Sequence, residues 1–567
     1  MKKLSYTLFA AMIVAQLSAQ DGRNLWLSSY SRGLIYTDEM KTDGVPDTVT
    51  AARTQSGHAL VDLGLHVQPN PNLEVMGMIR VRNDFGGFWG SGVTFDLRQL
   101  WVRGVIADII RFQLGDIDYR MSPYTFRNED EWILGGTSTM SQTSLDMLRY
   151  DIFQNDQETW RQQGLAMDFG FQFKKVLDEV NFSLFTTRTN SADFGGSDRL
   201  YGGGMMDLQV AKEWHLLYHY ANLFDLPETS ADPVQLNNPV QSIGFKWNRS
   251  LREYELFANA EAGRSRLEWK GDVDAPVLEG GFSDVEAGLY HRASRLKASL
   301  GWRAVGANFR SPGAQTKRIR FERSPNAYQR YTNDQVLRPF STYDLLRDGT
   351  LYNTQLEAGL MTFDPRYGNA LPYGTATPNR SGVNARVDWQ TKDGVLDLGV
   401  RWTSLDDIAG QGTDELRNFQ LIQGNASLHL GTYFGWERDL DLDLVFSSEN
   451  TTRDGKAYEQ SDLKNQLIDV ALEWEFFEHL SLLAEWRSYT SKGNDLFAVR
   501  DLYTQVTDFQ EVQFDGQEQL IGGGMQYRFN QKIAAQLFYQ SFNWSDPLSG
   551  YQAYRWNNWQ FNFIMTL

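Results

Sequence analysis

Two runs, 382–390 ("GVNARVDWQ") and 395–403 ("VLDLGVRWT"), alternate apolar and polar residues on either side of the short turn 391–394 ("TKDG"). This unit recurs. The pair 59–67 and 73–81 is joined by "QPNPN", the runs 467–476 and 478–489 meet almost directly, and 520–540 folds back near 529–531. Alternation with period two marks a strand with one apolar and one polar face. Runs of about 9–11 residues are the length that crosses a bilayer at a tilt, whereas strands of soluble domains average about 5–6. A chain built from such hairpins is expected to be all-β, and its strands are long enough to span a membrane.

The faces can be read residue by residue. Val383, Ala385, Val387 and Trp389 oppose Arg386 and Asp388, while Leu396, Leu398, Val400 and Trp402 oppose Asp397 and Arg401. Around 253–262, Glu253 and Glu255 share a face opposite Tyr254 and Leu256. A charge at the lipid midplane costs about 2–4 kcal/mol, so the charged faces must meet water inside a closed barrel. Arg386, Asp388, Asp397, Arg401, Glu253 and Glu255 are therefore candidates for the lumen wall. A soluble sandwich with polar outer faces is the rival, and the strand length counts against it.

The connections alternate in length. Short turns fall near 69–70, 107, 175–177, 213, 249–251, 294, 391–394, 431–437, 477–478 and 529–531, with long polar segments between them, chief among them 118–161 and 309–380. Short periplasmic turns on one rim and long extracellular loops on the other describe an up-and-down antiparallel transmembrane barrel. Parity gives about 22 strands, within roughly 18 to 24, provided 351–363 stays inside the loop 309–380. A single barrel domain is expected over 20–567, with no room for an N-terminal plug.

Both ends fit this reading. Lys2 and Lys3, the apolar run Leu4 to Ala15 and "QLSAQD" form a secretory signal peptide, 1–19, and no Cys follows that would carry a lipid. At the other end "WQFNFIMTL", 559–567, alternates to the last residue. Its apolar face is expected to meet lipid as the strand that closes the sheet.

Composition excludes several classes. With no Cys there is no disulfide and no thiolate chemistry. A net charge of -17 argues against nucleic acid. The mean hydropathy of -0.45 looks soluble, yet aromatics make up 13% of the chain, with 17 Trp and 25 Tyr. A barrel reconciles the two, because only every second strand residue faces lipid while girdle aromatics accumulate.

The signal ending "LSAQD" and the Tyr- and Trp-rich hairpins resemble outer-membrane barrels of the Bacteroidota type. "LRQLWVRG" (97–104) with "FQLGDI" (112–117) resembles a strand-pair motif of porin-like families, including alginate-export-type and carbohydrate porins. Segment 559–567 resembles the C-terminal signal read by the barrel-insertion machinery, departing from it in ending with Leu567 rather than Phe. The resemblance implies a porin in the outer membrane of a Gram-negative bacterium.

Catalytic patterns are sparse. His215 and His219 in "WHLLYHY" would lie about 13 Å apart along a strand, too far for one metal. There is no G-x-S-x-G elbow. Asp439, Asp441 and Asp443 fit a hydrated lumen wall better than a Ca²⁺ site. Trp89, Trp101, Trp132 and Trp160 fit an interfacial girdle better than a sugar-stacking path. No enzyme activity and no cofactor are expected. The sharpest functional hint is charge in two loops: Glu129, Asp130 and Glu131 in 118–161, against Arg318, Arg320, Arg323 and Arg330 in 309–350. Folded inward, they would set a transverse field across a pore constriction. The expected function is a channel for small hydrophilic solutes; the alternative is a non-catalytic subunit of a secretion or surface-assembly complex, its lumen occluded by loops.

Overall fold

The computed structural model describes residues 24–44, 52–85, 92–127, 137–153, 162–173, 177–190, 197–226, 234–271, 274–316, 338–352, 356–501, 503 and 506–566. Every long alternating run in them is a strand of one 22-stranded sheet. In chain order these are β1 Leu25–Thr42, β2 Ala52–Asn70, β3 Leu73–Asp84, β4 Val93–Ile106, β5 Ile110–Ile117, β6 Gln162–Gln172, β7 Glu179–Asn190, β8 Arg199–Ala211, β9 Trp214–Asp225, β10 Gln235–Leu251 and β11 Tyr254–Lys270. They continue as β12 Leu278–His291, β13 Leu296–Val305, β14 Arg380–Gln390, β15 Leu396–Asp406, β16 Asn418–His429, β17 Leu440–Arg453, β18 Ser461–Phe477, β19 Leu480–Arg500, β20 Val506–Asn530, β21 Ile533–Ser545 and β22 Tyr554–Thr566.

Each strand pairs antiparallel with its neighbours in sequence, and β22 returns to β1, from Tyr30 opposite Thr566 to Thr42 opposite Tyr554. The sheet is closed, which removes both edges. The 351–363 stretch contributes no strand among its described residues, so the count stays even. No described helix is long and apolar enough to cross a membrane, which says nothing of crossing by strands.

Faces follow the sequence alternation. Val387 lies opposite Val400 and Ala385 opposite Trp402, while Arg386 lies opposite Arg401 on the other face. The outer face carries an apolar belt in which Leu300 is 62% and Ile243 66% exposed. Within the closing strand, Trp559 and Phe561 are exposed while Asn558, Gln560 and Asn562 are buried on the lumen side. One motif breaks parity. Between β3 and β4, Met78 faces Gln99 and Ile79 faces Leu97, so Arg98 of β4 sits in a β-bulge. The extra residue re-aims the Arg98 side chain, which is 5% exposed inside the barrel.

Several strands run further toward the loop rim than polarity suggests. β1 extends through Asp38, Glu39 and Lys41, and β11 through Arg264, Arg266 and Lys270. Above an apolar belt the outer face is wet, so the hydrogen-bonded ladder continues with polar residues on both sides.

Candidate functional site

The lumen on the loop side is filled by two inward-folded segments. The first, following β5, begins with 118–127 packed on the wall of β7 to β12. The Tyr119 ring lies 4.4 Å from Phe185, Tyr201 donates to the Thr125 carbonyl at 3.0 Å, and Ser122 donates to Glu261 at 2.7 Å. The segment then forms helix α1, Thr139–Phe153. Ser138 opens the helix, its hydroxyl accepting from the Ser141 amide at 3.0 Å.

Helix α1 rests on acidic groups at its start and on basic groups at its end. At the start, Glu485 accepts from the Ser141 hydroxyl at 2.8 Å and from Ser138. Thr139 donates to Glu473 at 2.6 Å, and Gln536 donates to Thr143 at 2.9 Å. Carboxylates at a helix N-terminus complement its dipole. At the other end Asp151 takes Arg32 at 2.7 Å and Arg80 at 3.2 Å. Arg80 also grips Asp62 with two 2.8 Å hydrogen bonds, and Arg98 reaches Asp62 at 3.1 Å. Tyr150 donates to Asp62 at 2.6 Å while the Arg98 guanidinium covers its ring at 4.2 Å. A helix of 15 residues spans about 22 Å. It thus bridges the β1–β22 seam from inside, from β18–β21 to β1–β4.

The second segment runs from β13 to β14. A capping box at Ser341 and Asp344 opens a helical turn at Thr342–Leu345. Arg338 binds Asp344 bidentately at 2.8 and 2.9 Å. Glu518 accepts from the Thr342 amide at 2.9 Å, and Glu449 from the Asn369 and Ala370 amides at 2.7 and 2.8 Å. Phe340, Leu345, Tyr367 and Leu371 pack on inward-facing Leu405, Phe419, Leu421 and Leu467. Arg310 is 1% exposed and donates to the Ala307 and Phe309 carbonyls. Burial, with Arg500 beside it, pulls its guanidinium down to about 9.

Between α1, the turn at 343–349 and the wall of β22, β1, β2 and β3 remains a cavity of about 710 Å³. Met147, Leu148 and Ile152 form one side of it. Charges of both signs ring it: Arg32, Arg82 and Arg347 with Asp38, Asp84 and Asp348. Arg347 approaches Asp38 at 3.6 Å.

Arg386 and Asp388 form a 2.7 Å ion pair on the inner face of β14. Arg401 follows on β15, and Asp397 lies 4.0 Å from His429. Glu253 lies in the turn between β10 and β11, bound to His291 at 3.3 Å, and Glu255 pairs with Arg292 at the same rim. Arg318, Arg320, Arg323, Arg330, Glu129, Asp130 and Glu131 lie outside the described residues, as do Trp89, Trp132, Trp160 and the signal segment 1–19. The described parts of both loops fold inward.

His215 binds Asp207 at 3.0 Å and His219 binds Ser242 at 3.0 Å, so the two histidines have separate partners. Asp441 and Asp443 hold His429 and Ser427, and the described residues contain no cluster of three metal-ligating side chains. The cluster of Arg32, Asp62, Arg80 and Arg98 was not anticipated from the sequence. Its signal is that Asp62 and Arg80 stand at polar positions of the 59–67/73–81 hairpin and face each other in register.

No protein-family model matches this chain, and no curated protein matches it. Among solved structures it is similar to OpdQ of Pseudomonas aeruginosa, at TM-score 0.38 and 10% identity over 96% of this chain and 98% of that one. It is also similar to OccK3 (OpdO) and OccK5 (OpdH) of the same organism. OccK3 has TM-score 0.36 and 8% identity over 95% of this chain and 96% of that one. OccK5 has TM-score 0.34 and 9% identity over 95% and 98%. The architecture rests on the strand pairing itself.

Proposed function

We propose that this chain is an outer-membrane channel for small hydrophilic solutes in a Gram-negative bacterium of the Bacteroidota, exported by its N-terminal signal and inserted through 559–567. The observation that supports the reading is the charged cavity of about 710 Å³ left between α1, the turn at 343–349 and the wall, inside a closed barrel with an apolar belt. Arginines and aspartates around one cavity present fields of both signs, which select solutes by charge and dipole. No catalytic or cofactor role is needed for such transport.

The test is single-channel conductance of the folded protein in a planar bilayer. Stable open steps are expected. A folded but silent barrel would overturn the channel and favour the second reading, a barrel subunit of a secretion or surface-assembly complex. That reading has its own support, since the described parts of 356–379 are packed almost wholly out of solvent.

A further inference from the structure

Near the turn rim of β1, β2 and β3, three side chains the sequence separates form one hydrogen-bonded chain. The Ser28 hydroxyl lies 2.9 Å from His66 Nε2, and His66 Nδ1 lies 3.0 Å from Glu74 Oε1. Arg103 binds the other oxygen of Glu74 at 2.8 and 2.6 Å and keeps it ionised. A carboxylate can only accept, so Nδ1 carries the proton. With the proton on Nδ1, Nε2 is the acceptor that faces the Ser28 hydroxyl. We propose that Ser28, His66 and Glu74 form a nucleophile–base–orienting relay, which gives the barrel a serine-esterase activity toward small carboxylic esters in its lumen.

The surroundings match that role. Trp26 stacks on the His66 ring at 4.9 Å and 14°, and Trp101 meets it edge-on at 6.1 Å. Gly64, across the ladder from Ser28, leaves the room: a Cβ there would sit 2.5 Å from the Ser28 oxygen and 3.4 Å from Met78. Ser28 is half-buried, and tryptophan and methionine beside it suit an acyl group. Among the described residues no other histidine has a carboxylate on Nδ1 and a hydroxyl on Nε2. His215 has a carboxylate on Nδ1, His429 has carboxylates on both sides, Asp441 at Nδ1 and Asp397 at Nε2, and His219 and His291 bind serine through Nδ1.

The chemistry closes without a further reagent. Ser28 Oγ adds to the ester carbonyl carbon as its proton passes to His66 Nε2. Collapse breaks the bond to the alcohol oxygen, which leaves with that proton. Water then repeats the sequence on the acyl-serine, releasing the acid and restoring Ser28. Glu74 is a positioning residue, holding the ring and stabilising the imidazolium.

The test uses the folded full-length protein in detergent with two probes, a fluorophosphonate and p-nitrophenyl acetate. Phosphonylation mapped to Ser28 is expected, with labelling and ester turnover falling at least about tenfold in Ser28→Ala and His66→Ala, in line with general-base catalysis. Glu74→Gln should lower kcat and leave KM unchanged, which a merely structural contact would not do. Gly64→Ala, which crowds the serine without removing any relay member, should also slow labelling. Folding of each variant is read from heat-modifiable gel migration. Two results would overturn the relay: no label on Ser28 in a folded barrel, or equal turnover in wild type and Ser28→Ala. Either would make this a cross-strand hydrogen-bond chain only.

Discussion

Ion pairs of similar length do unequal work in this lumen. Asp62 is fully buried and answers Arg80, Arg98 and Tyr150 at once, whereas Arg386–Asp388 stands on a half-open wall. Removing one partner of a buried pair strands the other, at about 3–5 kcal/mol, while exposed pairs are worth about 0–1 kcal/mol. Asp62→Asn should therefore lower the thermal midpoint clearly and Arg386→Ala hardly at all, followed by loss of the compact gel form on heating. Asp151 adds a pH dependence. Burial raises its carboxyl, but Arg32, with Arg80 and Arg98 behind it, outweighs burial and holds it below the usual carboxylate value. A depressed carboxyl stabilises the docked helix above the ordinary value of about 4, and that contribution is lost as pH falls through the lower, docked value. A new, larger conductance level should appear below about pH 4 in bilayer recordings. An Asp151→Asn variant, neutral at every pH, that shows the wild-type conductance at neutral pH would show that the Asp151 charge does not hold α1 in place.

At the level of elements, legibility depended on which solvent each face met. The hairpin 382–390/395–403 has the register its alternation implies, because its apolar and charged residues separate cleanly onto opposite faces of the sheet. Arg98 escaped that reading, since a bulge shifts parity and alternation alone cannot place the extra residue. Helix α1 was hidden for another reason. "TMSQTSLDMLRYDIF" has no clear apolar stripe, because its surroundings are a polar wall that satisfies hydroxyls and charges individually. The relay residues were hidden by distance along the chain, and only the offset of β1 against β2 brings Ser28 beside His66. The absence of native cysteine makes α1 testable. In Met147→Cys, a charged methanethiosulfonate should reduce conductance, because Met147 lines the 710 Å³ cavity. Leu300→Cys on the outer belt should be unaffected.

For the whole molecule, closure and the belt are what a bilayer would test. Leu300 is among the most exposed apolar residues of the belt. Leu300→Lys should cost about 2–4 kcal/mol on insertion and reduce the folded fraction, whereas Ser299→Lys on the opposite face should insert normally. Gel migration of refolded samples separates these outcomes. The helix bridging the β1–β22 seam has a consequence for the order of assembly. Its contacts join residues far apart in the chain: Ser138 with Glu485, Thr143 with Gln536, Arg32 with Asp151. Loop-closure entropy must be met before such pairs return any stability. Helix α1 emerges early in synthesis, but half of its seat is built from strands made hundreds of residues later. Its docking is thus a late event, and the native lumen is set only when the first and last strands of the chain have met.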